Sequence, residues 1–402
     1  MHRVAVTGIG VISALGNGRE TFFEALDTGR CGIAPMRNVD TTRLKFANGA
    51  EVRDFDALNW FDPKAASQLD RSVLFAGAAA AEAMADAMSG APFAPAPART
   101  AVVTGCSIGG KTSEDDTYRQ LYAEGRTRFD PLTIPRIMTN ASSSWISMRY
   151  GVTGPAYTVS TACASAGHAI GQAFWLVRSG IVDAAIAGGT EAPFAPGLLR
   201  AWEAMRVVAP DTCRPFSLDR RGLILGEGAA MFVLETLDGA RSRGARIWGE
   251  ICGFGMSADA HHVTMPSAAG AAQAMRAALL DAAMAPQEVG YINAHGTGTA
   301  ANDATETRAI HDVFTTPPAV SSTKSMHGHA LGAAGALEAA ATLHALHSGV
   351  LPPTINYTTP DPACDLDVMP NVARAMQVEA ALSNSFAFGG LNAVLAFRRV
   401  EQ

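Results

Sequence analysis

The chain has 402 residues, of which 48% are hydrophobic and 17% are charged, and its formal net charge is −6. This composition is typical of a globular protein with a sizeable core and argues against binding nucleic acid through bulk positive charge. Six cysteines without a C-x-x-C pair suit a reducing cytosol. No apolar run reaches the ~20 residues of a membrane span, and no signal-peptide pattern opens the sequence. We therefore expect a cytoplasmic protein that does not enter a membrane.

The first half of the chain is predicted to alternate strands with helices. Short apolar runs end in glycine, and longer runs with helical periodicity follow them. An amphipathic helix carrying Phe22, Phe23 and Leu26 follows the first strand. The other predicted elements are the strands Val4–Thr7, Ala101–Thr104, Tyr157–Ser160, Ala184–Ala187 and Ala229–Glu235, and the helices Ala65–Met88, Glu114–Tyr122 and Ser142–Tyr150.

Near residue 248 the same pattern starts again. Ile247–Ile251 runs into Gly253-Phe254-Gly255, just as Val4–Thr7 runs into Gly8-Ile9-Gly10. The later elements are predicted at Ala271–Met284, Gly290–Ala294, Val320–Ser322, Ala333–His347, Ala380–Ser383 and Asn392–Phe397. The repetition of strand, glycine and helix predicts a duplicated α/β core with halves at residues 1–247 and 248–402.

One stretch of the first half, Val159–His168, has the pattern of a nucleophile site. A β-branched strand ends, Cys163 follows, and small residues then open a helix. The dipole and the free N–H groups of a helix N-terminus favour a thiolate, so this cysteine is a candidate nucleophile. The alternative is a buried structural cysteine.

A glycine-rich loop supports a rival hypothesis. Gly105–Thr112 fits the pattern G-x-x-x-x-G-K-[ST] of a phosphate-binding loop, between an apolar strand and a helix. A nucleotide-binding enzyme is therefore a formal alternative. No apolar strand ends in a convincing Mg²⁺-binding aspartate, which argues against it.

Two histidines follow predicted strands in the second half. His295 stands in Ala294–Thr299 and His329 closes Ser321–His329, and a histidine at a strand end beside glycines can face a cleft. Each could equally be a core or surface residue. His344 and His347 are interpreted as surface residues of a helix. No carboxylate or thiol cluster has ligand spacing, so we expect no metal site.

Taken together, these blocks resemble a β-ketoacyl-[acyl-carrier-protein] synthase, the elongating condensing enzyme of type II fatty-acid and polyketide systems. The blocks are Val159–Gly167, Arg214–Gly228, Asn293–Thr299, Lys324–Gly335 and Asn384–Gly390. The resemblance runs from the first strand to the last. It implies the thiolase-like fold, in which two similar α/β halves form a layered α-β-α-β-α core with the active site between them.

The resemblance also implies roles for single residues. Cys163 corresponds to the nucleophile that takes the acyl chain, and His295 and His329 to the pair that binds malonyl thioester and assists decarboxylation. Lys324 corresponds to the lysine that orients this site. Phe388 corresponds to a gate whose backbone N–H, with that of Cys163, forms the oxyanion hole. The residues implied to contact substrate are Thr297, Thr299, Ile108, Phe194 and Gly389. Glu306 and Glu338 correspond to buried carboxylates with an architectural role.

The family uses no cofactor of its own, because its substrates are carried on the phosphopantetheine of acyl carrier protein. The resemblance further implies a homodimer with the region near Ile134–Trp145 at the interface, or a heterodimer with a related subunit. It assigns Gly105–Gly110 to an acyl pocket wall. A non-catalytic partner subunit and a degradative thiolase are alternatives, and the presence of Cys163 and the lack of a glycine context at Cys364 count against them.

Several positions depart from the family pattern. Ala301-Asn302 precedes Asp303 where glycine is usual, and Ala387 and Leu391 replace the usual glycine and threonine of the last turn. In the basic segment expected to contact the carrier, Lys64 and Arg71 are present, whereas Ser67-Gln68 stands where basic residues are common. We therefore expect a specialised carrier, as for a polyketide, a polyene or a nodulation-factor acyl chain.

Overall fold

The structure is a computed structural model that describes residues 1–400. Its strands are β1 (Val4–Ser13), β2 (Ala34–Pro35), β3 (Asn48–Gly49), β4 (Thr100–Gly105), β5 (Ala156–Val159), β6 (Ala184–Glu191), β7 (Gly228–Thr236), β8 (Gly249–Ala258), β9 (Tyr291–Asn293), β10 (Ala319–Ser321), β11 (Val350–Leu351), β12 (Arg374–Ala375), β13 (Ala380–Ala387) and β14 (Leu391–Arg398). Its α-helices are α1 (Arg19–Thr28), α2 (Pro63–Gln68), α3 (Arg71–Ala87), α4 (Lys111–Tyr122), α5 (Thr133–Ile137), α6 (Ala141–Tyr150), α7 (Ser165–Arg178), α8 (Pro196–Met205), α9 (Leu237–Ser242), α10 (Ala268–Asp281), α11 (Ala300–Val313), α12 (Lys324–His327) and α13 (Ala334–Ser348).

The main sheet repeats one topology twice. Its ten strands lie in the order β10-β9-β13-β14-β8-β1-β7-β6-β4-β5. From each outer edge inward, the strands of each half follow in corresponding order, so that β5, β4, β6, β7 and β1 match β10, β9, β13, β14 and β8. The halves meet through a short antiparallel pairing of β1 with β8, in which Val4 lies opposite Ile251.

Helices divide the molecule into five layers. Helix α3 packs on the outer face of β1 and β7, and α10 packs on the outer face of β8 and β14. Helices α7 and α13 lie between the half-sheets, because each contacts strands of both. The predicted duplicated α-β-α-β-α architecture is confirmed. The boundary at residues 247 and 248 stays a prediction.

The glycines that recur at corresponding places in the two halves, Gly10 and Gly255, have a packing role. A Cβ atom on Gly10 of β1 would lie 2.0 Å from the carbonyl oxygen of Ala79 in α3, and one on Gly255 of β8 would lie 2.2 Å from that of Ala274 in α10. Only a residue without a side chain lets these alanine-rich helices approach the strands so closely. The repeat seen in the sequence is therefore a repeat of helix–sheet contact.

Three predicted elements differ from the structure. Strand β1 continues through Gly8 and Gly10 to Ser13, and β6 continues through its two glycines to Glu191. The single helix predicted at Ala65–Met88 is two helices, since the Asp70 carboxylate accepts the backbone N–H of Ser72 at 2.9 Å and begins α3 anew. The sequence predicts strand ends at glycines and one helix for an alanine-rich run, but these small residues also serve close packing within elements.

Candidate active site

Cys163 lies in a tight turn between β5 and α7. Ala162 has φ +49°, a left-handed conformation that is uncommon for a residue with a side chain. The Ser165 hydroxyl stabilises the turn, accepting the N–H of Thr161 at 2.9 Å and donating to the carbonyl of Ala162 at 2.7 Å. The turn places Cys163, 7% exposed, at the N-terminus of α7 and on the wall of a cavity.

The surroundings of Cys163 hold it as a thiol at rest. Burial raises the pKa of the Cys163 thiol to about 12, while the nearby charge of Lys324 and the backbone N–H of Phe388, which points to the sulfur, oppose that rise. The sequence predicted a position that favours the thiolate. In the structure, loss of hydration outweighs the favourable groups.

His295 is fixed from two sides. Its backbone N–H and that of Gly296 each donate to one oxygen of Glu306 at 2.8 Å. Lys324 Nζ lies 3.3 Å from the Nδ1 atom of His295. Because a lysine ammonium only donates, Nδ1 must accept and the proton of the neutral ring must lie on Nε2. Glu306 therefore holds the backbone at His295 and Gly296, and His295 presents a defined donor.

Lys324 is a completely buried cation that pairs with the completely buried Glu338. Its charge, added to burial, lowers the pKa values of His295 and His329 well below the usual range. Both imidazoles are consequently neutral at neutral pH. Lys324 thus sets the tautomer of one histidine and, together with burial, favours the neutral form of both.

His329 is placed by backbone contacts. It follows α12 through Gly328, and its N–H donates to the carbonyl of Ile224 at 2.7 Å. Its ring lies 5.4 Å from that of His295, nearly perpendicular to it. Within residues 1–400, His329 Nδ1 has no hydrogen-bond partner. The two rings and Cys163 line the same cavity.

The turn between β13 and β14 forms another wall of this cavity. Gly389 and Gly390 have φ values of +84° and +70°, which glycine adopts without strain. The half-buried ring of Phe388 stacks on Trp202 with centroids 6.2 Å apart. A backbone N–H that points to Cys163 therefore comes from a turn whose shape depends on glycine.

Thr297 and Thr299 also line the cavity, and their hydroxyl oxygens lie 2.9 Å apart. The Thr299 hydroxyl accepts the N–H of Asn302 and caps α11. The segment His262–Pro266 covers the same opening. Two hydroxyls near an entrance lined by apolar groups suit a ligand that carries amide groups.

Comparisons with known proteins agree with this arrangement. A family profile described as Beta-ketoacyl synthase, N-terminal domain matches residues 1–240, and one described as Beta-ketoacyl synthase, C-terminal domain matches residues 248–358. Nodulation protein E of a Rhizobium species is 47% identical over 99% of this chain and 100% of its own length. The chain belongs to the beta-ketoacyl synthase family.

Two further relatives support the assignment. The 3-oxoacyl-[acyl-carrier-protein] synthase 2 of a Synechocystis species is 42% identical over 99% of this chain and 98% of its own length. The solved structure of the ishigamide ketosynthase/chain length factor is 38% identical, has a TM-score of 0.94 and covers 100% of both chains. The thiolase-like fold and the 3-oxoacyl-[acyl-carrier-protein] synthase activity of this condensing enzyme follow from these matches.

The predicted site residues fall into two groups. Cys163, His295, His329, Thr297, Thr299, Phe388 and Gly389 share the walls of one cavity. Ile108 and Phe194 do not line it and instead pack in the apolar cluster that contains Cys163. Their role in the acyl pocket stays a prediction.

The loop Gly105–Thr112, which resembles a phosphate-binding loop, already binds a carboxylate side chain of the protein. The buried carboxylate of Glu191 accepts the N–H of Ser107 at 2.9 Å and that of Ile108 at 3.3 Å. Lys111 pairs with Glu114. The donors that a nucleotide would need are occupied, so the synthase has no phosphate cradle here. Sequence inspection missed Glu191, whose only signal is a carboxylate at the end of an apolar strand.

Other expectations about polar residues had mixed outcomes. His347 is exposed as predicted, whereas His344 is buried, stacks on Phe23 and bonds Asp27 at 2.8 Å. Arg71 pairs with the buried Glu227 and so faces inward.

Among the residues described, none of the helices is long and apolar enough to cross a bilayer. The same residues contain no group of three or more His, Cys, Asp or Glu side chains placed to hold a metal.

Proposed function

We propose that Cys163 receives the acyl chain from the phosphopantetheine thioester of acyl carrier protein. The sulfur attacks the carbonyl carbon, the carrier sulfur leaves, and the proton of Cys163 ends on the carrier thiol. The N–H groups of Cys163 and Phe388 would stabilise the oxyanion of the tetrahedral intermediate. Support comes from the Phe388 N–H, which already points to the sulfur.

The second substrate would be malonyl thioester on the same type of carrier. Its carbonyl oxygen would accept hydrogen bonds from His295 and His329. When the bond to the carboxylate breaks, CO₂ leaves and the electron pair moves into the thioester as an enolate. The enolate carbon then attacks the acyl carbonyl, and the Cys163 sulfur leaves as 3-oxoacyl carrier protein forms. No strong base is required, because decarboxylation itself supplies the carbanion.

The observation that carries this proposal is the pair of neutral imidazoles in the cavity of Cys163. A neutral ring can donate a proton in a hydrogen bond while leaving the negative charge on the enolate oxygen. Lys324 holds the proton of His295 on Nε2, as derived above. Thr297 and Thr299 would bind the amides of the pantetheine arm, and Phe388 would move to open the acyl path.

We further propose a specialised carrier. The segment expected to contact the carrier protein is weakly basic, because Lys64 is exposed while Arg71 pairs with Glu227. A relative named nodulation protein E is 47% identical, compared with 42% for a relative named 3-oxoacyl-[acyl-carrier-protein] synthase 2. These facts favour an acyl chain made on a dedicated carrier over that of general fatty-acid synthesis.

The partner subunit would add to the open edge of the sheet. Strand β5 has no neighbour on its outer side among the residues described, and its side chains are exposed or half-buried. The opposite edge is covered, since Val320 of β10 donates to the carbonyl of Asp367. A second copy at β5 would complete the sheet next to Cys163. One solved relative is a ketosynthase/chain length factor, so a related subunit is the other candidate.

The test is intact-mass spectrometry of the purified chain after incubation with a panel of acyl carrier proteins. We expect an acyl adduct on the wild type and none on Cys163→Ala. Cys364→Ala is the matched control, because Cys364 is also buried but lies outside the cavity. An adduct that persists on Cys163→Ala would overturn the assignment.

A further inference from the structure

Glu191 is a buried carboxylate that the chemistry above does not use. It ends β6 and is 0% exposed. One oxygen accepts the N–H of Ser107 at 2.9 Å, the Ser107 hydroxyl and the N–H of Gly332 at 3.0 Å. The other accepts the N–H of Ile108 at 3.3 Å and the thiol of Cys106 at 3.2 Å. All five donors are neutral, so the carboxylate acts as a multiple acceptor and not as half of an ion pair.

These donors come from both halves of the molecule. Residues 106–108 follow β4 in the first half, and Gly332 precedes α13 in the second. A Cβ atom on Gly332 would lie 2.5 Å from the carboxylate, so glycine is needed for this contact. Glu191 therefore fixes the relative position of two segments that no strand pairing connects.

The same loop contacts the chain that leads to the nucleophile. The N–H of Cys106 donates to the carbonyl of Val159 at 3.1 Å, and the Ser160 hydroxyl donates to the carbonyl of Ser107 at 3.4 Å. Val159 and Ser160 run directly into the turn that carries Cys163. Half-buried Ile108 packs on the apolar cluster that contains Cys163. A shift of the loop would therefore move an apolar side chain that packs on the same cluster as the nucleophile.

The second half contains the equivalent device. Strand β9 holds the position of β4 in its half, and in the loop that follows it two successive N–H groups donate to the two oxygens of Glu306. There the carboxylate positions His295. Glu191 likewise accepts the backbone N–H groups of two successive residues, Ser107 and Ile108.

We propose that Glu191 is a positioning residue that sets acyl-chain selectivity by holding Ile108 against the apolar cluster that contains Cys163. The inference rests on the proposed acylation of Cys163. A carboxylate accepts all five hydrogen bonds, whereas the amide group of a glutamine has one oxygen and turns two donors of its own toward the loop. Glu191→Gln should therefore release the loop and alter the space beside the nucleophile without removing any group that reacts.

The experiment is a competition in which the intact synthase is offered equal amounts of carrier proteins bearing a short, a medium and a long acyl chain. The adducts on Cys163 are counted by intact mass, and kcat and KM are measured for each chain. For Glu191→Gln we expect the ratio of long to short adducts to change by about 10–100-fold, with KM for the acyl substrate changing more than kcat. Glu191→Asp keeps an acceptor carboxylate and should restore part of the wild-type ratio.

Glu235→Gln is the matched control. Glu235 is 2% exposed, lies in the neighbouring strand β7 and pairs opposite Ala184, at the other end of β6 from Glu191. We expect it to lower Tm and leave the adduct ratio unchanged. The proposal is overturned if Glu191→Gln keeps the wild-type ratio, or if Glu235→Gln changes the ratio equally.

Two further variants keep the inference testable. If Glu191→Gln does not fold, Ser107→Ala removes one donor and should shift the ratio in the direction that Ile108→Ala produces; an unchanged ratio in Ser107→Ala then overturns the proposal. A wild-type chain that forms no adduct would instead contradict the proposed acylation. Failure of the inference and failure of the proposed function are thus distinguishable.

Discussion

Lys324 shows how single residues divide the work of this site. It is buried with Glu338 and is not one of the residues that line the cavity. Its ammonium nevertheless makes His295 accept at Nδ1, and its charge adds to burial in keeping the pKa values of both histidines low. The charged lysine thus acts on two neutral histidines, and the histidines line the cavity.

Removal of one imidazole should separate the two half-reactions. His295→Ala and His329→Ala each delete a donor to the enolate, so decarboxylation of malonyl carrier protein should slow by about 10²–10³-fold. Acyl loading of Cys163 should persist, because neither ring is needed for the attack. Stopped-flow release of CO₂ and intact-mass loading measure the two steps. His261→Ala, at an exposed position outside the cavity, should leave both rates unchanged; equal loss of loading would refute the division of roles.

The pH profile of decarboxylation should report the buried charge of Lys324. Burial and that charge lower the pKa values of His295 and His329, so the wild-type rate should stay level as pH falls through 6.5, the ordinary pKa of histidine. In Lys324→Met/Glu338→Leu the charge is gone, and the imidazolium is less disfavoured. The acid limb should therefore move to higher pH, whatever the maximal rate. An acid limb at the same pH in both proteins would show that Lys324 does not set the charge state.

Among the secondary-structure elements, the contact of β1 with α3 is sensitive to a single substitution. In Gly10→Ala the new Cβ atom would lie 2.0 Å from the Ala79 carbonyl oxygen, so strand and helix must separate. We expect the free energy of unfolding, measured by urea titration, to fall by about 3 kcal/mol. Gly18→Ala is the control, because its Cβ atom would meet only the Glu82 side chain at 3.4 Å. Equal effects of the two would contradict close packing as the role of Gly10.

The same elements explain what the sequence could predict. Apolar runs, helical periodicity and the echo of glycines were enough for the duplicated core, because each feature depends on local chemistry. The end of β1 could not be predicted from local pattern, since Gly10 faces a helix that lies sixty and more positions away in the chain. Cys163, His295 and His329 were candidates because each follows a predicted strand, and the family resemblance then implied their roles. Glu191 was missed because its partners come from segments near residues 107 and 332.

At the scale of the whole molecule, the two edges of the sheet differ. The edge at β10 is buried, whereas β5 leaves its outer backbone groups free for pairing among the residues described. Near β5 the side chains of Trp175 and Ile181 are 36% and 56% exposed. An open edge strand beside exposed apolar side chains is a surface that proteins normally cover. The copy that covers it would also lie close to the turn of Cys163.

We therefore expect the wild-type chain to sediment at twice the 41.8 kDa of one chain. Trp175→Glu/Ile181→Glu places two charges on the surface beside β5 and should yield the mass of a single chain, because burying unpaired carboxylates disfavours association. Val372→Glu is the control, since Val372 is 74% exposed and lies in the second half, away from β5. Analytical ultracentrifugation at several concentrations measures all three. A wild-type chain that stays single at every concentration would contradict a homodimer and would leave the edge of β5 for a related subunit.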